Sequence, residues 1–408
     1  MSQDLKHDLG LAAVPFAPLS ALRASGARVI DLRSPSEFAD DHIPGAVNVP
    51  LFDDQERAMV GLLYKQFSPE AAFAEGRAVV ADKVVGLVAD IARAAGWTAE
   101  GTAGATTASK LRQRVLQMTE QGIGRMDVEL TAVPVTELPD APVALHCWRG
   151  GLRSRSVIAL VRALGLTRAV GVEHGYRAWR HGVMGALAAW PGVRRVIVLR
   201  GMTGVGKTLV LREIERLRPG STLDLEGLAG HRSSLLGMVG LAPVSQKTFE
   251  SALSERLAAG FVGDTLIVEG ESRKVGDVVL PAPLWDALRH GTNVWLTAPI
   301  PRRVEVLIED YLARPEALPV LRQQLAAVEA RMTKRPIAGA DLGQDGALDL
   351  VGMLDRGEAR ALVRLLLEHY YDPLYGNSEA GKVYALELDA SEPLAAARGI
   401  LAFADASD

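Results

Sequence analysis

Short apolar runs alternating with helical patterns organise the first half of the chain. Ala27–Leu32 (ARVIDL) predicts a buried strand closed by a turn at Ser34-Pro35, and Ala46–Val49 predicts another behind the turn-forming His42-Ile43-Pro44-Gly45. Pro142–His146 (PVALH) predicts a third strand, ending immediately before a cysteine. From Ser154 to Leu164 the apolar spacing is helical, with Gly165 as the stop. Strands alternating with helices predict a mostly parallel α/β sheet. Between about Trp97 and Leu138 the pattern weakens. Thr98–Ser109 is small and polar, as in a flexible connection, Lys110–Gln121 predicts a short helix, and the segment as a whole reads as an extended loop or an inserted surface hairpin. Trp190-Pro191-Gly192 is the best boundary, dividing the chain into domains 1–190 and 191–408. Beyond it, Val193–Arg200 predicts a strand leading into a glycine-rich turn, and strand–helix alternation continues to about Ala298. The tail is expected to be helical, with apolar positions at three-to-four spacing over Ala317–Arg331 and Glu358–Tyr371.

A chain of 408 residues, 48% hydrophobic and 23% charged, supports two ordinary globular cores. The net charge of -4 gives no overall attraction to nucleic acid, but charge is unevenly placed. From Leu145 to Arg218 there are 14 Lys or Arg against three acids, Glu173, Glu213 and Glu215. Such a stretch suits a polyanionic substrate, unless its arginines are spread over solvated faces. The one cysteine, Cys147, excludes an internal disulfide and fits a reducing compartment. The start MSQDLKHDLG has no basic segment followed by an apolar run, and apolar runs such as Val196–Leu199 and Leu266–Val268 are too short to cross a bilayer. The expectation is a soluble cytoplasmic protein without membrane association.

Gly201–Thr208 (GMTGVGKT) fits the pattern GxxxxGK followed by Ser or Thr, between an apolar strand and the helical pattern Leu209–Leu217. Its glycines, Gly201, Gly204 and Gly206, let backbone N–H groups turn toward phosphate oxygens. Lys207 adds a point charge, and the helix N-terminus a partial positive end. Thr208 would hold a magnesium ion if a nucleotide is bound. Leu266–Glu269 is a candidate for the acidic strand end facing such a loop, with Glu271 as second choice. Phosphate binding by itself does not imply ATP hydrolysis.

His146–Ser154 (HCWRGGLRS) follows a strand and opens a helix. A cysteine there meets backbone N–H groups and a positive helix end, with Arg149 and Arg153 near by, and each of these favours the thiolate. Gly150 and Gly151 allow the tight turn. Two chemistries share this arrangement. One transfers sulfur or selenium through a persulfide or perselenide. The other hydrolyses a phosphate ester through a phosphocysteine and needs a general acid, for which Asp40, Asp41 and Glu173 are candidates.

The first half resembles the rhodanese domain at Val29–Phe38, His42–Pro50, the Cys147 loop and His174–Trp179. Asp31 is expected to hold the loop geometry by hydrogen bonding, and Arg33 to pair with Glu37. The loop here is one residue longer between Cys and Arg than is usual in that family, which gives room for a larger anion and keeps the phosphatase chemistry open. A rhodanese domain followed by a P-loop domain resembles bacterial tRNA 2-selenouridine synthases. So do Val60–Gln66, Asp224–Arg232, Ser245–Glu250, Glu269–Arg273 and Tyr370–Tyr375. The resemblance runs from about residue 27 to 375, interrupted at about 97–138.

That resemblance implies an α/β fold in two parts, rhodanese-like then P-loop NTPase-like with a helical C-terminal part. It implies a transferase that replaces sulfur by selenium in the wobble 2-thiouridine of certain tRNAs, through an S-geranyl intermediate. Selenophosphate and geranyl diphosphate are the implied substrates, without a tightly bound cofactor. An enzyme supplying selenophosphate is a candidate partner beside tRNA. Cys147 would accept or deliver selenium, with Arg149 and Arg153 holding the phosphate of selenophosphate and Gly201–Thr208 the diphosphate. Asp224, Glu226, His231, Arg232, Glu269, Glu271 and Arg273 are candidate substrate contacts. Tyr370, Tyr371 and Tyr375 read as packing. Two alternatives stand beside this reading: a cysteine phosphatase fused to a nucleotide-binding domain, and a non-catalytic tRNA-binding protein with a nucleotide switch.

Overall fold

The computed structural model describes residues 13–97, 108–120, 122–232, 239–312, 318–334, 348–374 and 381–406. The chain falls into two compact units, Met1–Met184 and Gly185–Asp408. The division lies inside the helix Tyr176–Ala188, ahead of the Trp190-Pro191-Gly192 turn.

In the first unit six parallel strands form one sheet: β1 (Val14–Ala17), β2 (Arg28–Asp31), β3 (Val47–Asn48), β4 (Ala132–Pro134), β5 (Val143–His146) and β6 (Ala169–Val172), in the order β3-β2-β5-β6-β1-β4. Every residue of β5 and β6 is buried, which is why both read as unbroken apolar runs rather than alternating ones. The register sets Asp31 opposite His146, so β2 and β5 end at the same level, where ligands of parallel sheets bind.

A helix of 27 residues, Pro69–Ala95, carries much of the remaining core. Ser68 caps its start by accepting from the Ala71 amide, Pro69 occupies the first turn, and left-handed Gly96 closes it. Its buried stripe, from Ala72 through Val84, Leu87 and Ile91 to Ala95, meets helices Asp54–Gln66, Ala108–Thr119 and Gly122–Glu129. The expected loop or hairpin over 97–138 is therefore corrected, while the short helix expected at Lys110–Gln121 forms as Ala108–Thr119. Two helices and β4 occupy its described part, while Thr98–Thr107 lies outside the described residues. Leu111, Val115, Met126 and Leu130 fasten those helices to the core, a stripe too sparse to stand out in a polar sequence.

The second unit has a parallel sheet of β7 (Arg195–Gly201), β8 (Thr222–Leu223), β9 (Thr265–Glu269), β12 (Thr292–Thr297) and β13 (Tyr384–Asp389), with a small antiparallel hairpin of β10 (Lys274–Val275) and β11 (Val278–Val279). The order is β13-β12-β7-β9-β8. Here the expectation of a helical tail is only partly met. The helices Leu318–Lys334 and Ala359–Leu366 form, the latter running on to Tyr371, but the chain then returns to the sheet as β13 and ends in helix Pro393–Ala406. β13 alternates in burial, so only Leu386 and Leu388 join the core. Tyr371 is buried and Tyr370 meets it edge-on at 5.1 Å, which is packing. Tyr375 lies outside the described residues.

Candidate active site

Cys147 leaves the end of β5, and helix Leu152–Ala163 starts five residues later with Gly151 as its N-cap. Gly150 turns the loop at φ +66, where an added Cβ would stand 3.0 Å from the Val172 carbonyl oxygen. Gly151 is extended, so of the two glycines only Gly150 is required by backbone conformation. The loop is tied to the next strand end: the Tyr176 amide donates to the Cys147 carbonyl, and the Arg177 amide to that of Trp148, both at 3.0 Å.

The thiol is only 2% exposed. Burial pushes its pKa up, but the Arg153 charge, the Ser154 hydroxyl 3.3 Å from Sγ, and the amides of Arg149 and Ser154 outweigh that effect. The thiol is held below its ordinary value. Of the two loop arginines it is Arg153 that acts on the sulfur through its charge, while Arg149 contributes its amide and keeps its side chain exposed.

Beneath the loop lies a buried ionic frame. Arg33, 1% exposed, donates twice to Asp31, stacks at 3.7 Å on the Tyr176 ring, and donates to the Asp41 carbonyl at 2.7 Å. The expected Arg33–Glu37 pair is therefore corrected. Arg33 turns inward, where a fully buried guanidinium needs a bidentate carboxylate. Glu37 stays at the surface, accepting from the Ser34 amide and facing Arg57 at 3.4 Å and Arg153 at 4.0 Å. Tyr176 donates to Asp41 at 2.7 Å, and its burial, with that bond, raises the phenol well above its ordinary pKa. His146 is entirely buried, and burial keeps its imidazole below the usual pKa despite Asp31 at 3.7 Å.

Above the loop is a cavity of about 670 Å³. Cys147 and Trp148 line it together with Glu37, Arg57, Arg149 and Arg153, and helices Asp54–Gln66 and Pro69–Ala95 supply a largely apolar wall. Asp40, Asp41 and Glu173, the candidate acids for a phosphatase, are not among its lining residues; the carboxylate that is, Glu37, already faces two arginines.

In the second unit the strand β7 runs into Gly201–Gly206, and helix Lys207–Leu217 follows with Gly206 as its N-cap. At Gly201 an added Cβ would come within 2.6 Å of the Leu296 carbonyl oxygen. Gly204 and Gly206 also take positive φ, completing a concave turn. Lys207 Nζ donates to the Gly201 carbonyl at 3.1 Å, arching over the turn. The Thr208 hydroxyl donates to Glu269 Oε1 at 2.7 Å, and Glu269 Oε2 is buried without a partner. Burial, followed by the nearby charges of Glu226, Asp224 and Glu271, raises the Glu269 carboxyl well above its ordinary value.

The remaining candidates divide. Asp224 caps the helix Leu225–Ala229 by accepting from the Gly227 amide, and His231 packs its ring against Gly276 in the β10–β11 turn. Arg232 pairs with Asp310 at 2.5 Å and donates to the Val239 carbonyl, a structural engagement rather than an open contact. Arg273 is exposed. Part of the basic stretch is likewise structural: Arg155, Arg162, Arg168 and Arg195 clamp the carbonyls of Leu130, Ala169, Ala95 and Ala404.

Arg303 is a residue that sequence reasoning missed. It donates to the Thr203 carbonyl in the glycine turn at 2.8 Å and forks onto both oxygens of Asp372. The only signal was Asp372 lying within the Tyr370–Tyr375 segment already singled out.

Comparison with known proteins matches a family profile in each of the two units. The profile described as the tRNA 2-selenouridine synthase AAA domain matches residues 194–391, and that of the rhodanese-like domain matches residues 17–80. A tRNA 2-selenouridine synthase of Cupriavidus pinatubonensis is 31% identical, over 87% of this chain and 89% of its own. The chain belongs to the tRNA 2-selenouridine synthase family. Synthases of Cupriavidus necator, 32% identical over 88% of this chain and 90% of theirs, and of Nitrosomonas europaea, 28% identical with the same coverage, align as fully. No described helix is long and apolar enough to cross a membrane.

Proposed function

We propose that the chain replaces the sulfur of a wobble 2-thiouridine in tRNA by selenium, in two steps. Geranyl diphosphate first alkylates the thiocarbonyl sulfur: the C–O bond to the diphosphate breaks, a C–S bond forms, and the base loses its N3 proton. The selenium of selenophosphate then attacks C2, the C–S bond breaks and geranylthiol leaves with a proton. Water cleaves the Se–P bond, releasing phosphate and leaving selenium on C2 with N3 protonated again. Alkylation matters because a bare thiocarbonyl sulfur is a poor leaving group.

One observation carries the reading: a cysteine held toward its thiolate by Arg153, on the same chain as the glycine turn capped by Lys207. Arg149 and Arg153 suit the phosphate of selenophosphate, with Cys147 assisting the delivery of its selenium to C2. Backbone amides of Gly201–Gly206 with Lys207 suit the diphosphate. Thr208 and Glu269, whose Oε2 lacks a partner, are the groups that would hold a magnesium ion. Such an ion supplies charge neutralisation at the diphosphate oxygens. On this reading the enzyme works in the cytoplasm, with tRNA and a selenophosphate-producing enzyme as partners.

The test is to incubate the chain with thiolated tRNA, geranyl diphosphate and selenophosphate, then digest the RNA for mass spectrometry. Geranylated and selenated uridine are expected. Lys207→Ala should block geranylation, whereas Cys147→Ser should spare it and stop selenation. Folded protein that yields neither nucleoside refutes the proposal, and variants that fail at the same step refute the division of labour.

A further inference from the structure

The cavity over Cys147 is poorly explained by selenophosphate alone. A small, highly charged anion needs arginines and amides, and those sit at the cysteine end, as Arg149 and Arg153. Beyond them the wall carries Arg57, Lys65 and Arg77 but is largely of another kind: Val60, Phe73, Val80, Val115 and Met126 come from four helices and face the same space. Protein interiors close such spaces, leaving voids hardly larger than a water molecule. At about 670 Å³ this one falls instead within the range of small-molecule sites, roughly 300–1,000 Å³. Apolar wall has binding value only for an apolar ligand, and it begins where the sulfur of Cys147 is.

We infer that this cavity holds the branched ten-carbon chain of the S-alkylated thiouridine, placing C2 of the base beside Cys147. The inference rests on the proposed two-step reaction and adds where its alkyl group goes. Whichever atom delivers selenium, the alkylthio group leaves from the carbon under attack. The chain on that sulfur must therefore lie within a few bonds of the reacting centre. In this unit Cys147 marks that centre, and the apolar wall next to it is where a terpenyl chain escapes water. The basic rim, Arg57 with Arg149 and Arg153, remains for the anion and the RNA backbone. Geranyl diphosphate carries the same chain, but its diphosphate suits the glycine turn of the other unit. The S-alkylated nucleoside is the occupant that needs no second anion cradle.

Full-length chain carrying Val60→Phe or Val80→Phe fills the cavity from two different helices, both at half-buried positions. Anticodon stem-loops bearing S-geranyl- or S-methyl-2-thiouridine are the probes, with selenophosphate as donor and geranyl diphosphate assayed separately. In wild type, kcat/KM should favour S-geranyl over S-methyl by about tenfold or more, and each variant should lower that ratio by about tenfold, as expected from displacing about two methylenes. Thermal midpoints check that the variants fold. A preference that survives both substitutions overturns the inference while leaving the two-step reading intact. So does a loss confined to geranyl diphosphate as substrate, since the occupant would then be the donor. Should wild type selenate neither stem-loop, the two-step reading fails, and direct titration of S-geranyl-2-thiouridine into Cys147→Ser chain decides the cavity separately. Binding weakened about tenfold by Val80→Phe upholds the inference, and equal binding ends it.

Discussion

Arg303→Ala should disable the glycine turn without touching any residue that meets the anion. The guanidinium, 6% exposed, forks onto Asp372 at 2.5 and 2.9 Å and donates through Nε to the Thr203 carbonyl. Breaking a buried pair typically costs about 3–5 kcal/mol, because one charge is left buried and unpaired. Asp372 is 24% exposed and can recover water, so the figure here is discounted to about 2–3 kcal/mol. Loss of the bond to Thr203 releases the tip of the turn, whose amides must converge before an anion arrives. Pyrophosphate affinity should therefore fall by about tenfold, equal to about 1.4 kcal/mol. Urea unfolding of the full chain, with and without saturating pyrophosphate, reads both effects, and calorimetry gives the affinity directly. Arg303→Lys keeps the charge but loses the fork, and should recover less than half of the stability. A double-mutant cycle with Asp372→Asn isolates the pair. Stability within about 0.5 kcal/mol of wild type, with undiminished affinity, would show that this contact is ordinary surface chemistry and refute the argument.

Cys147 should react with iodoacetamide along a pH profile that levels off below that of an ordinary thiol, because Arg153 and the loop amides outweigh burial. Arg153→Gln should move the profile upward and Ser154→Ala should move it upward by less; an Arg153→Gln profile identical to wild type refutes the assignment. Glu269 is protonated in the folded chain above its ordinary 4.5, so folding takes up protons there. The destabilisation it causes is nil below that value, grows as pH rises, and levels off above the folded-state pKa. Glu269→Gln should consequently gain stability over wild type as pH is raised from 5 to 8, and a difference that does not vary with pH refutes the shift. Lys207→Ala should weaken pyrophosphate binding by about tenfold or more, checked by calorimetry, and unchanged affinity would deny Lys207 any part in the cradle.

Both chemical loops were legible because each depends on local sequence. GMTGVGKT and HCWRGGLRS contain their own turns, charges and helix starts, and each follows an apolar strand. Buried parallel strands were legible for a related reason, since β5 and β6 consist of little but apolar residues. What escaped depends on residues far apart. Arg303 reaches the turn from 100 residues away, and Tyr176 reaches Asp41 across 135. β13 alternates as an edge strand and follows several helices, so its return to the sheet is decided by register with β12 rather than by its own pattern. Arg33 was assigned the wrong carboxylate because the spacing from Arg33 to Glu37 suits a helix, whereas Arg33 sits on the strand side of the turn and faces inward. The basic stretch misled in the opposite direction. Several of its arginines serve backbone carbonyls, a use that composition does not distinguish from anion binding.

Arg153 has two claims on its charge, and they compete. It lowers the Cys147 pKa, and in the proposed reaction it also holds the phosphate of selenophosphate. A dianion bound there cancels much of the field that favours the thiolate, in a site where burial already works against charge. Thiolate and bound phosphate therefore repel, and the ground state with both present is unfavourable. In the proposed reaction, attack of selenium on C2 followed by hydrolysis of the Se–P bond relieves that repulsion, because phosphate then departs. Glu37, near Arg57 and 4.0 Å from Arg153, provides the counterweight. Under the proposed reaction the same electrostatics disfavours a diphosphate at this loop, because a polyanion beside Cys147 would suppress its thiolate.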